Sequence, residues 1–161
     1  MSPSPLLTLL RLAPLITSTA SLTYAHDTNL FFRIFLSPTY SPPEANLILP
    51  PWFKTYMKRG VVPIITLYPL SLISAGANIY FTEASRAGAA AMWYGLGFGF
   101  TVGHFLFARW AVRLLVAVAG DESKGKCTED LREWLGMHLW RSLSVDGPGW
   151  VCFLMAAVVS L

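Results

Sequence analysis

The chain has 161 residues, of which 54% are hydrophobic and 13% charged, and its mean hydropathy is +0.50. This composition excludes an ordinary soluble protein and indicates an integral membrane protein. The net charge of +3 is small and the basic residues flank apolar runs, so the lipid bilayer is the expected partner and nucleic acid is not. Two isolated cysteines, Cys127 and Cys152, predict neither a disulfide framework nor a zinc site.

Long apolar runs occur where transmembrane helices are expected. A helix needs about 20 residues to cross a hydrocarbon core of roughly 30 Å. We predict helices over about 6–25, 61–81, 87–113 and 131–161, with a kink near Pro148 in the last. The predicted fold class is therefore all-α, an integral membrane four-helix bundle in which residues 1–161 form a single domain.

The segment 26–60 is predicted to be a long first loop. Its prolines at positions 38, 42, 43, 50 and 51 argue against one long helix, and its apolar content argues against free disorder. We expect this loop to lie along the membrane surface or to fold over the bundle as a lid.

The distribution of basic residues predicts the orientation in the membrane. With four helices, every Lys and Arg except Arg11 and Arg86 falls on the side of the first and third loops. The positive-inside rule places that side in the cytosol and both termini in the lumen or outside. The expected location is a multi-pass position in the endoplasmic reticulum or a related endomembrane.

Small and amide side chains in the second and third helices predict helix packing. Gly95, Gly99 and Gly103 recur every four residues, and such a ridge lets a neighbouring helix approach closely. Asn78 is expected to form a hydrogen bond between helices.

The stretch "EWLGMHLWRS" carries polar side chains on one helical face. Trp134 and His138 are four residues apart, and His138 and Arg141 are three apart, so all three share a face. The pair Asp130 and Glu133 resembles a capping box, which predicts that this helix begins near Leu131. Because ligand sites in bundles lie between helices, we expect this face to line a pocket.

His104 is an ionisable side chain within an apolar span, and such residues usually face the interior or a cavity. Arg109 closes the same helix five residues later. Asp146, beside Gly147-Pro148, is expected to cap the last helix rather than to take part in catalysis. A metal site built from all three histidines and Asp27 has suitable ligand types but no ligand spacing, so no metal is expected.

Two sequence patterns support a family resemblance. They are "WFKTYMKRGVVPIITL", which contains Trp52 and Tyr56, and "LREWLGMHLWRSL", which contains Trp134, His138 and Arg141. Both resemble the anthrone oxygenase-like family of small membrane proteins. The resemblance implies a membrane-embedded tailoring monooxygenase of fungal secondary metabolism, which oxidises a polyketide anthrone to an anthraquinone.

The resemblance also implies how the residues would work. His138 or His104 would remove a proton from the substrate, and Arg141 or Arg109 would stabilise the resulting oxyanion. Trp134, Trp52 and Tyr56 would bind the flat, lipophilic substrate. Molecular oxygen would be the co-substrate, without a metal or another cofactor.

Two alternative functions remain open at this point. A membrane cyclase, isomerase or epoxide hydrolase acting on a polyketide or terpenoid would depend on carboxylates such as Asp146, Asp27 or Glu83. A non-catalytic scaffold would use the glycine ridge to bind a biosynthetic partner enzyme, and association into a homo-oligomer is open under every reading.

Overall fold

The structure is a computed structural model that describes residues 4–81 and 87–161, so Glu83 and Arg86 lie outside the described residues. The elements are α1 (Pro5–Arg33), a 3-10 turn (Ile34–Leu36), α2 (Pro42–Phe81), α3 (Ala87–His104), a second 3-10 turn (Phe105–Phe107), α4 (Ala108–Gly120), α5 (Cys127–Arg141), a π-helical turn (Ser142–Asp146) and α6 (Gly147–Ser160). They join into four helical rods, each long and apolar enough to cross a membrane: Pro5–Leu36, Pro42–Phe81, Gly88–Gly120 and Cys127–Ser160.

The prediction of a long first loop over 26–60 is wrong. Only a short connection separates Leu36 from Pro42, and the rest of that segment is helical. Pro42 opens α2, where the missing N–H would have had no helical partner. Glu44 stabilises this first turn, because its carboxylate accepts hydrogen bonds from the Ser41 amide (2.9 Å) and hydroxyl (2.6 Å).

Pro50 lies inside α2 because tertiary contacts compensate for the helical hydrogen bond that this proline removes. A proline removes the hydrogen bond to the carbonyl four residues earlier, here that of Asn46. The thiol of Cys127 reaches this carbonyl at 3.5 Å, and the Asn46 side chain accepts from the amide of Thr128 at 2.9 Å. Fully buried packing of the neighbouring Leu49 adds further stabilisation.

A second backbone carbonyl that loses its helical hydrogen bond to a proline accepts one from a neighbouring helix instead. Pro14 within α1 cannot donate to the carbonyl of Leu10, and Asn78 of α2 donates to it at 2.7 Å. The prediction that Asn78 bonds between helices is confirmed.

The predicted start of the fourth rod at Leu131 is also wrong, since α5 begins at Cys127. Asp130 does not act in a capping box but accepts a hydrogen bond from the hydroxyl of Ser123 at 2.6 Å. The side chain of Asn46 takes the capping role from the neighbouring rod by accepting from Thr128. A cap from another helix leaves no local sequence pattern.

Two apolar clusters lie towards opposite ends of the bundle. One joins α1, α2, α4 and α5 around Phe32, Phe53, Leu131 and Trp134, and the other joins α2, α3 and α6 around Tyr94 and Phe153. At 1.5 Å per residue α2 is about 60 Å long, about twice a hydrocarbon core. Part of the α1–α2 hairpin therefore extends beyond the span that a bilayer covers.

The packing face of α3 differs from the predicted ridge. Its buried residues follow helical spacing: Ala90, Tyr94, Gly97, Thr101 and His104. Gly95 and Gly99 face open space, whereas Gly97 lies against Phe153 of α6. The ridge prediction is wrong for Gly95 and Gly99, because helices contact along one face, but Gly103 does lie near the fourth rod, with 3.5 Å between its added Cβ and Val145. The contacting face turns His104 into the bundle.

Substituting Gly97 with alanine is expected to destabilise the protein by about 1–3 kcal/mol, the typical cost of overpacking a core. An added Cβ would lie 2.5 Å from Cε1 of Phe153, which is 1% exposed and has little room to move. Thermal unfolding in detergent measures the effect. Gly95→Ala is the matched control, because no atom lies within 4 Å of its added Cβ. Equal unfolding temperatures for both variants would contradict the packing argument.

Candidate functional site

Three ionisable side chains from two rods meet in the centre of the bundle. Nδ1 of His104 donates to Oδ1 of Asp146 at 2.9 Å, and Nε of Arg141 donates to Oδ2 at 3.2 Å. The side chains of all three residues are less than 10% exposed. Because the bundle interior has a low dielectric constant, the carboxylate and the guanidinium stabilise each other's charged form.

The π-helical turn explains how Arg141 and Asp146 meet although they are five residues apart. In an α-helix, residues three or four apart share a face, whereas π-helical hydrogen bonds join residues five apart. The Gly147 amide bonds to the carbonyl of Ser142, and Pro148 follows at the start of α6. The kink predicted near Pro148 is therefore a π-turn, and it directs Asp146 inward.

The expectation that Asp146 caps the last helix was wrong. Its backbone is helical and its side chain makes no capping hydrogen bond to α6. Both carboxylate oxygens instead bind side chains of the site. A lone carboxylate in an apolar span was the sequence signal for this role, because an unpaired charge there is costly.

Next to this network lies a cavity of about 290 Å³ between α1, α2, α4 and α5. Its volume is just below the range of about 300–1,000 Å³ usual for ligand pockets. Most of the wall is apolar, with Met57, Ile64, Phe105, Ala111, Val112 and Leu115 among its residues. The polar and aromatic part of the wall includes His104, His138, Arg141 and Trp134, together with Tyr24, Thr28 and Tyr56.

The two histidines of the site differ in their partners. A carboxylate only accepts hydrogen bonds, so the contact with Asp146 assigns the proton of neutral His104 to Nδ1 and leaves Nε2 as a base. His138 contacts the ring of Trp134, with centroids 5.1 Å apart, and neither of its ring nitrogens has a hydrogen-bond partner among residues 4–81 and 87–161. His104 is thus held in one orientation by a carboxylate, whereas the described residues do not hold His138 in this way.

Tyr68 of α2 packs against the site without lining the larger cavity. Its ring lies against His104, with centroids 3.8 Å apart. Two small cavities of about 20 Å³ share Ser21 and Tyr68 in their walls; one reaches Asp146, and the other reaches His138 and Arg141. Each has room for a single water molecule beside the network. Nothing in the sequence distinguished Tyr68 from other aromatic residues.

The structure brings together most of the predicted site residues. His104, His138, Arg141, Trp134 and Tyr56 all line the larger cavity. Trp52 instead stacks on Tyr56, with centroids 5.8 Å apart, and belongs to the aromatic cluster behind the cavity wall. Arg109 is exposed on α4 and is not part of the wall.

The proposed metal ligands are not assembled. Within the described parts of the chain, no three His, Cys, Asp or Glu side chains are close enough to hold a metal ion. His26 and Asp27 are exposed on α1, away from His104 and His138 in the interior.

Comparisons with known proteins identify relatives along the whole chain. No protein-family model matches, and no solved structure matches at a significant level. The probable epoxidase scpX of Mollisia scopiformis is 34% identical over 157 residues, covering 97% of this chain and 98% of that protein. The epoxidase gkaX of Penicillium citrinum is 34% identical over 163 residues, covering all of both chains. The epoxidase pydX of Acremonium sp is 33% identical over 156 residues, covering 96% of each chain.

These relatives refine the resemblance drawn from the two sequence patterns. They support a fungal oxidative enzyme family, and their names specify epoxidase rather than anthrone oxygenase. Identity of about one third over nearly the full length of each protein is enough to establish common family membership. The chain therefore belongs to the family of the fungal epoxidases scpX, gkaX and pydX.

Proposed function

We propose that this protein is a membrane-embedded tailoring enzyme of secondary metabolism, which epoxidises a carbon–carbon double bond of a lipophilic substrate with O₂. The observation that carries the proposal is the position of His104, His138 and Arg141 in the wall of one apolar cavity, with Asp146 behind them. The epoxidase relatives support the reaction type. Molecular oxygen is the co-substrate, and the substrate itself supplies the electrons.

The first step is removal of an acidic proton from the substrate by Nε2 of His104. Asp146 accepts from Nδ1 and stabilises the imidazolium that forms. Arg141 and His138 donate hydrogen bonds to the oxyanion, where a dry cavity makes such interactions strong. The electron-rich anion then transfers an electron to O₂, and the two radicals combine to form a carbon–oxygen bond and a hydroperoxide.

The second step closes the epoxide. Loss of a proton from the neighbouring carbon gives an enolate, which attacks the proximal peroxide oxygen. The new carbon–oxygen bond forms as the O–O bond breaks, and hydroxide leaves as water after taking a proton. For a hydroquinone the balance is one substrate and one O₂ giving one epoxyquinone and one water.

Oxidation of an anthrone to a quinone would share the first step with this mechanism. The routes separate at the hydroperoxide, where loss of water from the same carbon gives a carbonyl instead of an epoxide. Both reactions consume one O₂ and release one water, so product analysis is required to distinguish them.

The bilayer is the proposed source of the substrate. Val61, Phe105 and Val112 line the cavity and are also exposed on the outside of the bundle, between α2 and α4. An apolar opening at this position suits a substrate dissolved in the membrane. The charge asymmetry of the sequence supports a location in the endoplasmic reticulum or a related endomembrane.

Isotope incorporation tests the proposed function. Membranes containing the protein receive 1,4-naphthohydroquinone or anthrone under ¹⁸O₂, with catalase present to remove free peroxide. We expect enzyme-dependent products that carry one ¹⁸O atom, and we expect an epoxide from the hydroquinone. Membranes without the protein give the spontaneous rate. Product formation without O₂ and with oxygen from H₂¹⁸O would contradict the proposal and support the hydrolytic alternative.

A further inference from the structure

Three hydroxyl groups form a connected set in the cavity wall contributed by α1 and α2. The Tyr24 hydroxyl lies 2.7 Å from the carbonyl oxygen of Gly60 and 2.6 Å from the Tyr56 hydroxyl. The Thr28 hydroxyl lies 3.1 Å from that of Tyr56. All three side chains line the larger cavity, and the mechanism above uses none of them.

The direction of each hydrogen bond in this set follows from the number of protons. A carbonyl oxygen only accepts, so the single proton of Tyr24 goes to Gly60. Tyr56 must then donate to Tyr24, and Thr28 must donate to Tyr56. Each of the three hydroxyl protons is used in one of these hydrogen bonds. The hydroxyl oxygens can therefore offer a ligand only lone pairs, as hydrogen-bond acceptors.

Glycine at position 60 makes this arrangement possible. A Cβ there would lie 2.7 Å from Cζ of Tyr56 and 2.9 Å from the Tyr24 oxygen. Tyr24 can therefore reach the carbonyl of Gly60, with the Tyr56 ring beside it, only because residue 60 has no side chain. The backbone carbonyl of Gly60 sets the direction of the whole chain of hydrogen bonds.

Arg141 and His138 give another part of the same cavity the opposite character. Among the described residues, Arg141 uses only Nε in a side-chain hydrogen bond, so its terminal N–H groups remain as donors. The cavity thus combines hydrogen-bond donors at Arg141 with hydrogen-bond acceptors at Tyr24, Thr28 and Tyr56 in an otherwise mostly apolar wall. A ligand matches both when it carries an oxyanion or carbonyl for the donors and an O–H or N–H for the acceptors.

We propose that Tyr24, Thr28 and Tyr56 form a binding subsite for a hydrogen-bond donor of the substrate, a hydroxyl or N–H group. The inference deepens the proposed function and rests on it for the identity of the ligand as substrate. It narrows the substrate class to lipophilic molecules that carry an enolisable or phenolic group and a further hydroxyl or N–H donor. The subsite selects among lipophilic molecules because leaving an acceptor group unpaired in a dry cavity is unfavourable.

A matched pair of probes tests the subsite without any reaction. The probes are 1-naphthol and 1-methoxynaphthalene, which share a flat apolar ring and differ in the O–H donor. Binding is measured as the excess of each probe in protein-loaded over empty lipid nanodiscs. We expect the protein to prefer 1-naphthol by about 5- to 10-fold, the value of one net hydrogen bond.

Variants assign the preference to the subsite. Tyr56→Phe and Tyr24→Phe are expected to reduce the preference to less than about 2-fold, because each removes an acceptor oxygen. Tyr40→Phe is the matched control, since Tyr40 stacks on Phe35 outside the cavity wall. Partial unfolding lowers the excess of both probes by the same factor, so the ratio of the two excesses on one preparation stays the same. A merely structural role of the tyrosines would therefore leave this ratio unchanged.

The possible results separate this inference from the proposed function. An equal excess of both probes in the unmodified protein, or an unchanged preference in both cavity variants, would overturn the subsite. A preference lost only in the cavity variants supports it even if the isotope experiment detects no epoxidation. In that case the proposed reaction fails and the donor subsite stands.

Discussion

Replacing His104 with alanine is expected to lower O₂-dependent turnover by roughly 100- to 10,000-fold, the range for loss of a general base. The hydrogen bond to Asp146 orients this ring and stabilises its protonated form, and the ring lies in the wall of the larger cavity. Oxygen consumption and product formation by membranes at matched expression measure the effect.

The third histidine of the chain supplies the control for this variant. His26 is exposed on α1, so His26→Ala makes the same chemical change without touching the site. Imidazole added to His104→Ala should restore part of the turnover, because the missing ring leaves a space beside Tyr68. Full turnover by the His104→Ala variant would show that His104 is not the base, and His138 would then be assigned that role.

Asp146→Asn is expected to lower turnover on the order of 100-fold or more while changing KM only slightly. The carboxylate does not line the larger cavity but acts through His104 and Arg141, so its loss affects the reaction more than substrate binding. Steady-state kinetics with 1,4-naphthohydroquinone or anthrone, whichever the protein converts, measures kcat and KM. Asp27→Asn, an exposed carboxylate on α1, is the matched control.

Stability measurements distinguish the structural part of this effect. Asp146→Asn leaves the Arg141 cation buried without a counter-charge, which costs about 3–5 kcal/mol when a buried pair is broken. Adding Arg141→Gln removes the unpaired charge, so the double variant should regain thermal stability without regaining turnover. Recovery of turnover together with stability would show that the reaction requires neither Asp146 nor Arg141.

The helical nature of the chain and its four spanning rods were predictable from local composition. Apolar runs of sufficient length specify a membrane helix almost independently of their neighbours, because the bilayer requires every backbone group to be bonded within the helix. The prediction failed at 26–60, where prolines were read as helix breakers. Neighbouring rods offset the cost there: Cys127 donates to the carbonyl freed by Pro50, and Phe53 is fully buried beside it.

Part of the site was also predictable, for a geometric reason. Residues three and four apart on one helix share a face whatever the fold, so Trp134, His138 and Arg141 were expected to lie together, and all three line the cavity. Asp146 was misjudged because a π-turn changes that spacing. The contributions of Tyr24 and Tyr68 depend on which rods are neighbours, and no local pattern encodes them.

The sequence by itself determined the helical spans, their apolar character and the shared face that carries His138 and Arg141. These properties arise from interactions between residues close in the chain or between side chains and lipid. Only the tertiary structure decided that Asp146 pairs with His104 and Arg141, which histidine is oriented by a carboxylate, and how the hydroxyls of the tyrosines are hydrogen-bonded. Those properties arise from contacts between separate rods, whose directions depend on packing and on the availability of each hydrogen-bond donor.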